Sequence, residues 1–306
     1  MSDKNYVRTD VQIAASGVTL AGWYYCPQGP GPFPAIVMSP GFACVKELFV
    51  DRFAEAFAEA GFAALLYDHR NFGASGGDIR GEISPWQQIE DMRDAVTWLC
   101  SQPDADPGRI GLWGSSYSGG HVLVLGATDR RIHCVVAQVP TISGYQSFLR
   151  RVAPPLVEGV LKTMAEDRAQ RYAGGKPARR RVIPDGDAPG IYNGADAVAF
   201  WGAAAIMAPS WENSVTLRSS ELASHYEPGA YIGRVSPTPL LMIVAEKDDV
   251  TPADLALAAY NQALEPKKLH LIEGGHFDPY AREFTEASTT ALAWFRSHLS
   301  GRKLLR

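Results

Sequence analysis

The chain is predicted to be an α/β protein, a mostly parallel, doubly wound sheet with a helical cap inserted after the sixth strand. Three observations carry this. Short continuous apolar runs alternate with helical segments over the first 140 residues, the pattern of strands covered on both faces. That alternation stops from about residue 141 to 235 and then resumes. Within the first region, Ile110 to Gly120 runs from an apolar strand through small residues straight into a helix.

Taken in order, Val11 to Ala15 and Val18 to Tyr25 flank Ser16-Gly17, which predicts an antiparallel hairpin. Ala35 to Met38 is a buried strand ending in the loop Ser39-Pro40-Gly41-Phe42. Phe49, Phe53 and Phe57 recur every four residues and stop at Gly61, which predicts one helical face and its C-terminal cap. Phe62 to Tyr67 is the next strand, followed by the glycine-rich Asp68 to Gly77. Ser84-Pro85-Trp86-Gln87 offers an N-cap, a first-turn proline and a reciprocal glutamine for a helix to about Cys100. The 110–120 element then carries a helix to Leu125, and Cys134 to Val139 is the sixth strand.

Residues 141–235 contain helical pieces at Leu156 to Arg171, Ala195 to Met207 and Ser214 to His225, broken by a Pro/Gly/Asp-rich loop at 174–190. Their position predicts a lid over a core formed by residues 1–140 and 236–306. Arg179-Arg180-Arg181 is read as a solvated loop, with contact to an acidic substrate as the alternative. Leu240 to Ala245 and Leu269 to Ile272 are the closing strands. Right-handed crossovers in such a sheet put ligands at the strands' carboxyl edge.

That edge holds the candidate chemistry. Ser116 lies between Gly114 and Ser118 in a G-x-S-x-S turn, where strained backbone geometry raises the hydroxyl above the sheet. Serine is a weak nucleophile until an oriented base takes its proton. Asp248 follows one strand and His276 another, so nucleophile, acid and base come in that order. The strand end leaves both Asp248 and Asp249 as candidates for the acid, with a cap for the helix near Pro252 the other role for Asp249. Ser115 and Ser118 are expected to bond backbone. Asp68 is expected to tie down the glycine-rich loop, and His121 to pack on the 117–125 helix. Tyr145, Phe148, Trp201, Trp211, Tyr226 and Tyr280 are candidate linings of an apolar pocket or of lid core.

The order Ser, Asp, His, together with these strand-end positions, resembles that of the α/β-hydrolases along nearly the whole chain. Gly114-x-Ser116-Tyr117-x-Gly119 resembles the turn of the cocaine esterase and X-prolyl dipeptidyl peptidase group. Asp68 to Gly73 with Trp113 to His121 more closely resembles small hydrolases that include fungal polyketide acyltransferases. The resemblance implies Ser116 as nucleophile, His276 as general base and Asp248 as orienting acid, with the Phe42 and Tyr117 backbone NH groups as oxyanion hole. The first group usually adds a large C-terminal β-sandwich and often an oxyanion tyrosine. This chain has few residues after its last predicted helix and carries Phe42, which argues for an esterase over a prolyl peptidase.

A net charge of −4 gives no field suited to nucleic acid. Met1 to Tyr6 lacks a signal-peptide core and no run approaches a membrane span, so a cytoplasmic protein is expected. Cys26, Cys44, Cys100 and Cys134 have no C-x-x-C spacing, which fits reduced thiols. The expectation is a serine hydrolase cleaving a carboxylic ester of a small-molecule acyl substrate, with no cofactor or metal. Acyl transfer or thioester cleavage is the alternative, and a catalytically silent receptor the other-class reading. Oligomeric state is left open.

Overall fold

The computed structural model describes residues 4–300; the first three residues of the N-terminal segment considered above lie outside the described residues. Ten strands and ten helices are named in chain order. They are β1 Tyr6–Ala15, β2 Val18–Pro27, β3 Phe33–Ser39, α1 Asp51–Glu59, β4 Ala63–Tyr67, α2 Pro85–Cys100, β5 Ala105–Ser115, α3 Tyr117–Thr128 and β6 Ile132–Gln138. The segment between β6 and the next sheet strand holds α4 Gly144–Arg151, α5 Val157–Tyr172, β7 Arg179–Arg180, α6 Ala195–Gly202, α7 Ala204–Met207, β8 Val215–Thr216 and α8 Leu217–Ser224. The chain closes with β9 Leu240–Ala245, α9 Ala253–Gln262, β10 Lys267–Ile272 and α10 Phe284–Leu299.

Eight strands form one sheet in the order β1-β2-β4-β3-β5-β6-β9-β10. β1 and β2 form the expected hairpin, β2 is antiparallel to β4, and every pair from β4 to β10 is parallel. The parallel interior strands read as unbroken apolar runs because both faces are covered: α1 and α10 pack together against one and α2 and α3 against the other. The chain winds outward from β3 to β4, then returns to place β5 on the other side of β3. This reversal opens a crevice at the carboxyl ends of β3 and β5. Their register pairs Ser39 with Gly114, so the two loops that follow start side by side.

Three local expectations differ from the structure. Phe49 lies outside α1 with a φ of 64° and packs its ring on Phe200 at 5.1 Å, so it turns the chain into the helix and joins another core face. Ser84 precedes α2 with Pro85 in the first turn as expected, but its side chain makes no cap bond. Residues 141–235 contain helix α4 and the two-stranded β7-β8 pair, which had no sequence signal strong enough to separate them from loop. Among the described residues, no helix is long and apolar enough to cross a membrane.

Candidate active site

Ser116 joins β5 to α3 with φ 58° and ψ −117°, a conformation L-residues rarely adopt. Close packing holds it there. A Cβ on Gly114 would lie 2.2 Å from the Ser118 carbonyl oxygen, and one on Gly41 would lie 3.0 Å from the Ser116 Cβ. Gly114 therefore has to be glycine for the neighbouring backbone to approach, and a side chain at Gly41 would crowd the serine. Ser118 is fully buried, and its hydroxyl donates to the Pro40 carbonyl, bonding the β3 loop to the start of α3.

His276 follows β10 and reaches Ser116 Oγ with Nε2 at 2.9 Å, while its Nδ1 lies 2.8 Å from Asp248 Oδ2. The imidazole is 2% exposed, so its orientation is fixed by these partners. Asp248 follows β9, and its Oδ1 accepts the amides of Val250 and Thr251 at 2.9 and 2.8 Å. Thr251 Oγ1 lies 2.9 Å from Asp248 Oδ2 and 3.1 Å from His276 Nδ1. The carboxylate is thus clamped by its own turn before it meets the imidazole. Asp249 points into solvent, and α9 starts after Pro252 with no side-chain cap bond, so the expected capping role of Asp249 is not observed.

Tyr117 is the first residue of α3, where an amide has no partner within the helix. Among the described residues, neither its NH nor that of Phe42 makes a hydrogen bond. The Phe42 ring sits edge-on to Tyr117 at 5.4 Å and to Tyr192 at 6.1 Å, which immobilises the loop bearing its amide. The structure therefore brings Ser116, His276 and Asp248 into one hydrogen-bonded relay, with Phe42 and Tyr117 beside the serine.

The other sequence candidates separate from this relay. Ser115 Oγ meets Tyr280 OH at 2.5 Å and the Gln138 side-chain amide at 3.1 Å, where backbone partners were expected. Asp68 accepts the Ala74 amide, tying the glycine-rich loop as predicted, and also binds the amide and ammonium of Lys46. His121 is buried on α3 between Tyr226 and Gln88. His69 Nε2 donates toward Ser118 Oγ and the Pro40 carbonyl, since the Ser118 hydroxyl is itself given to Pro40, and burial pushes its imidazole down to about 4.

A cavity of about 160 Å³ opens at Ser116, on the order of the ~150 Å³ that admits a benzene-sized group. Phe42, Tyr117, Phe148, Met164, Ile191 and Tyr192 supply much of its apolar wall. Of the six aromatics proposed from sequence, only Phe148 lines it. Tyr145 faces solvent, Trp211 donates to the Ala43 carbonyl, and Tyr226 and Tyr280 bond inside the core. Trp201 stacks beneath Tyr192 at 4.8 Å, supporting the wall from behind. Tyr192 was missed because it lies in an irregular stretch with no periodicity to reveal its direction. Arg180 was placed in a solvated loop, yet it belongs to β7 and lines this cavity, as does Arg151 from α4.

Comparison with known proteins agrees with the architecture. A thiohydrolase from Eupenicillium brefeldianum is 36% identical over 268 residues, covering 86% of this chain and 84% of that protein. A polyketide transferase from a Penicillium species is 30% identical over 304 residues, covering 98% and 100% respectively. The crystal structure of the α/β hydrolase GrgF from Penicillium sp. sh18 superposes with a TM-score of 0.83 at 29% identity, covering 96% of this chain and 100% of that one. The fold is that of the α/β-hydrolases, as the order of its strand-end residues implied. Residues 16–278 match the family model described as X-Pro dipeptidyl-peptidase (S15 family), and the chain belongs to that enzyme family.

Proposed function

We propose that this protein is a serine hydrolase that takes an acyl group from a thioester or carboxylic ester onto Ser116 and delivers it to water. The carrying observation is the relay Ser116 Oγ, His276 Nε2, His276 Nδ1, Asp248 Oδ2, with links of 2.9 and 2.8 Å, at the floor of a cavity. Ser116 attacks the acyl carbon as His276 takes its proton. Asp248 holds the proton on Nδ1 and stabilises the imidazolium. The Phe42 and Tyr117 amides, with the N-terminus of α3, receive the charge that develops on the carbonyl oxygen. Collapse breaks the bond to sulfur or oxygen, and His276 returns its proton to the leaving group. Water then repeats the sequence in reverse and frees the acid.

The thiohydrolase relative favours a thioester donor over the simple ester expected from sequence. The family name does not decide activity, and the cavity lining weighs against a dipeptidyl peptidase. Its charged side chains are Arg151 and Arg180, and the carboxylates of Asp196, Asp249 and Asp254 line an adjoining cavity rather than the one at Ser116. Transfer to an alcohol in place of water is the second reading, favoured by the full-length match to a polyketide transferase. In this reading residues 141–235 are a helical cap on a core of 1–140 and 236–306, because α4, α5 and α8 supply cavity wall through Phe148, Met164 and Ala223. The protein would act in the cytoplasm on a small acyl substrate, without cofactor, nucleic acid or membrane.

The test is turnover of matched thioesters, p-nitrophenyl esters, p-nitroanilides and X-Pro amides, with water or alcohols as acceptor and intact-mass detection of the acyl-enzyme. Thioester and ester turnover with an adduct on Ser116 is expected. Efficient X-Pro amide cleavage, or neither adduct nor turnover, refutes the proposal.

A further inference from the structure

The cavity at Ser116 contains a cation without a counter-charge. Arg180 is half-buried in β7 and, among the described residues, its guanidinium has no ion pair and no hydrogen bond. Its neighbours in the arginine run are occupied. Arg179 donates to Ser214 Oγ at 2.7 Å and to the Arg80 carbonyl at 2.8 Å, and Arg181 lies 3.2 Å from Asp185. Arg150 pairs with Asp254. Arg151 has one contact to the Val250 carbonyl at 3.3 Å and lies over the Tyr192 ring at 4.8 Å. It brings a second positive charge to the same cavity, and burial together with this neighbour pulls the Arg180 pKa below its ordinary value.

Arg180 is half-buried beside the exposed Arg151, and the carboxylates of Asp196, Asp249 and Asp254 line the adjoining cavity rather than this one, so Arg180 is left partly desolvated without a counter-charge, which is unfavourable. The arrangement becomes favourable when an anion enters, because a guanidinium offers a planar set of donors matched to carboxylate or phosphate oxygens. The remainder of the wall is aromatic and aliphatic, so the geometry fits a substrate with an apolar body and one anionic group.

We propose that Arg180, assisted by Arg151, binds an anionic group of the acyl substrate, an inference that rests on the acyl-transfer reading of Ser116. The shared chemistry is a set of anionic oxygens, which can sit at the far end of the acyl chain or on the phosphate of a thiol carrier. Arg180 anchors the substrate away from the reacting carbon. It is a specificity-determining residue whose loss raises KM more than it lowers kcat.

Two substrate pairs distinguish the sources. The first compares the adipoyl thioester of N-acetylcysteamine with its neutral methyl ester, and the second compares octanoyl-4′-phosphopantetheine with octanoyl-pantetheine. In the unaltered protein at least one pair should favour the anion by about 10- to 100-fold in kcat/KM, the range of charge-assisted hydrogen bonds. That preference should collapse to about onefold in Arg180→Met, recover in part in Arg180→Lys and persist in Arg181→Met. The same pairs titrated calorimetrically onto Ser116→Ala report the preference as Kd ratios, independently of turnover. Neutral and anionic members binding alike in both pairs, or an anion preference that survives Arg180→Met, overturns the proposal. Turnover of neutral thioesters without anion preference would leave the hydrolase reading standing and remove this one, whereas an Arg180-dependent Kd preference without turnover would do the reverse.

Discussion

Replacing Asp248 by asparagine tests the relay with almost no change of shape. In the structure Oδ1 is committed to the Val250 and Thr251 amides at 2.9 and 2.8 Å, so the asparagine carbonyl must stay on that side. Its NH2 then occupies the Oδ2 position, 2.8 Å from His276 Nδ1. Thr251 Oγ1 contacts both that position and the Val139 carbonyl; it can accept from the new NH2 while donating to Val139. The variant is therefore satisfied sterically and in hydrogen bonding, but the NH2 donates to Nδ1 and drives the imidazole proton to Nε2. An Nε2 that carries a proton cannot take one from Ser116.

A wrong tautomer of this kind costs about 10⁴ in kcat, or ~5 kcal/mol of barrier. Asp249→Asn, at a solvent-facing side chain outside the relay, should change kcat by about twofold or less. The assay is steady-state hydrolysis of a thioester, with unfolding midpoints measured in parallel. A fall under about tenfold in Asp248→Asn with stability intact, or a larger loss in Asp249→Asn, would refute the assignment of the acid.

Further outcomes follow from the same contacts. Ser116→Ala should remain folded and lose about 10⁴- to 10⁶-fold in kcat, with no acyl adduct by intact mass. Gly114→Ala should lose roughly 1–3 kcal/mol in urea unfolding and most activity, because the added methyl lies 2.2 Å from the Ser118 carbonyl oxygen; unchanged stability would show that the turn relaxes easily. His69, held near 4 by burial against an ordinary 6.5, makes the unfolded state the first to bind a proton as pH falls. Stability is then full above about 6.5 and is lost toward about 4, by ~3 kcal/mol from this group. Urea midpoints for His69→Gln should fall less steeply over that window than those of the unaltered protein, and parallel curves would exclude His69 as a contributor.

Ser116, Asp248 and His276 were legible because each lies just past an apolar run, and a parallel sheet delivers all such ends to one edge. Phe42 joins them for a topological reason: β3 and β5 are neighbours only because the winding reverses between them. The choice of Asp248 over Asp249 was carried by resemblance alone. The structure supplies its physical cause in the Val250 and Thr251 amides, which converge on one carboxylate and leave the next outside.

The substrate side was far less legible, and the arginine run shows why. Three consecutive identical residues have no pattern from which to choose a burial direction. In the two-residue β7-β8 pair Arg180 is half-buried and lines the cavity, while Arg179 and Arg181 are exposed, a difference that appears only in the assembled structure. Tyr192 is likewise positioned by the stacked Trp201 from a helix beginning three residues later. In the regular core a side chain's direction follows from period two or 3.6, so the sequence alone reveals it. In residues 141–235 it follows from which piece of chain packs behind it. On the proposed reading, the attacking residues are therefore written in local motifs, whereas selection of the acyl group would depend on a wall that exists only once those pieces have assembled.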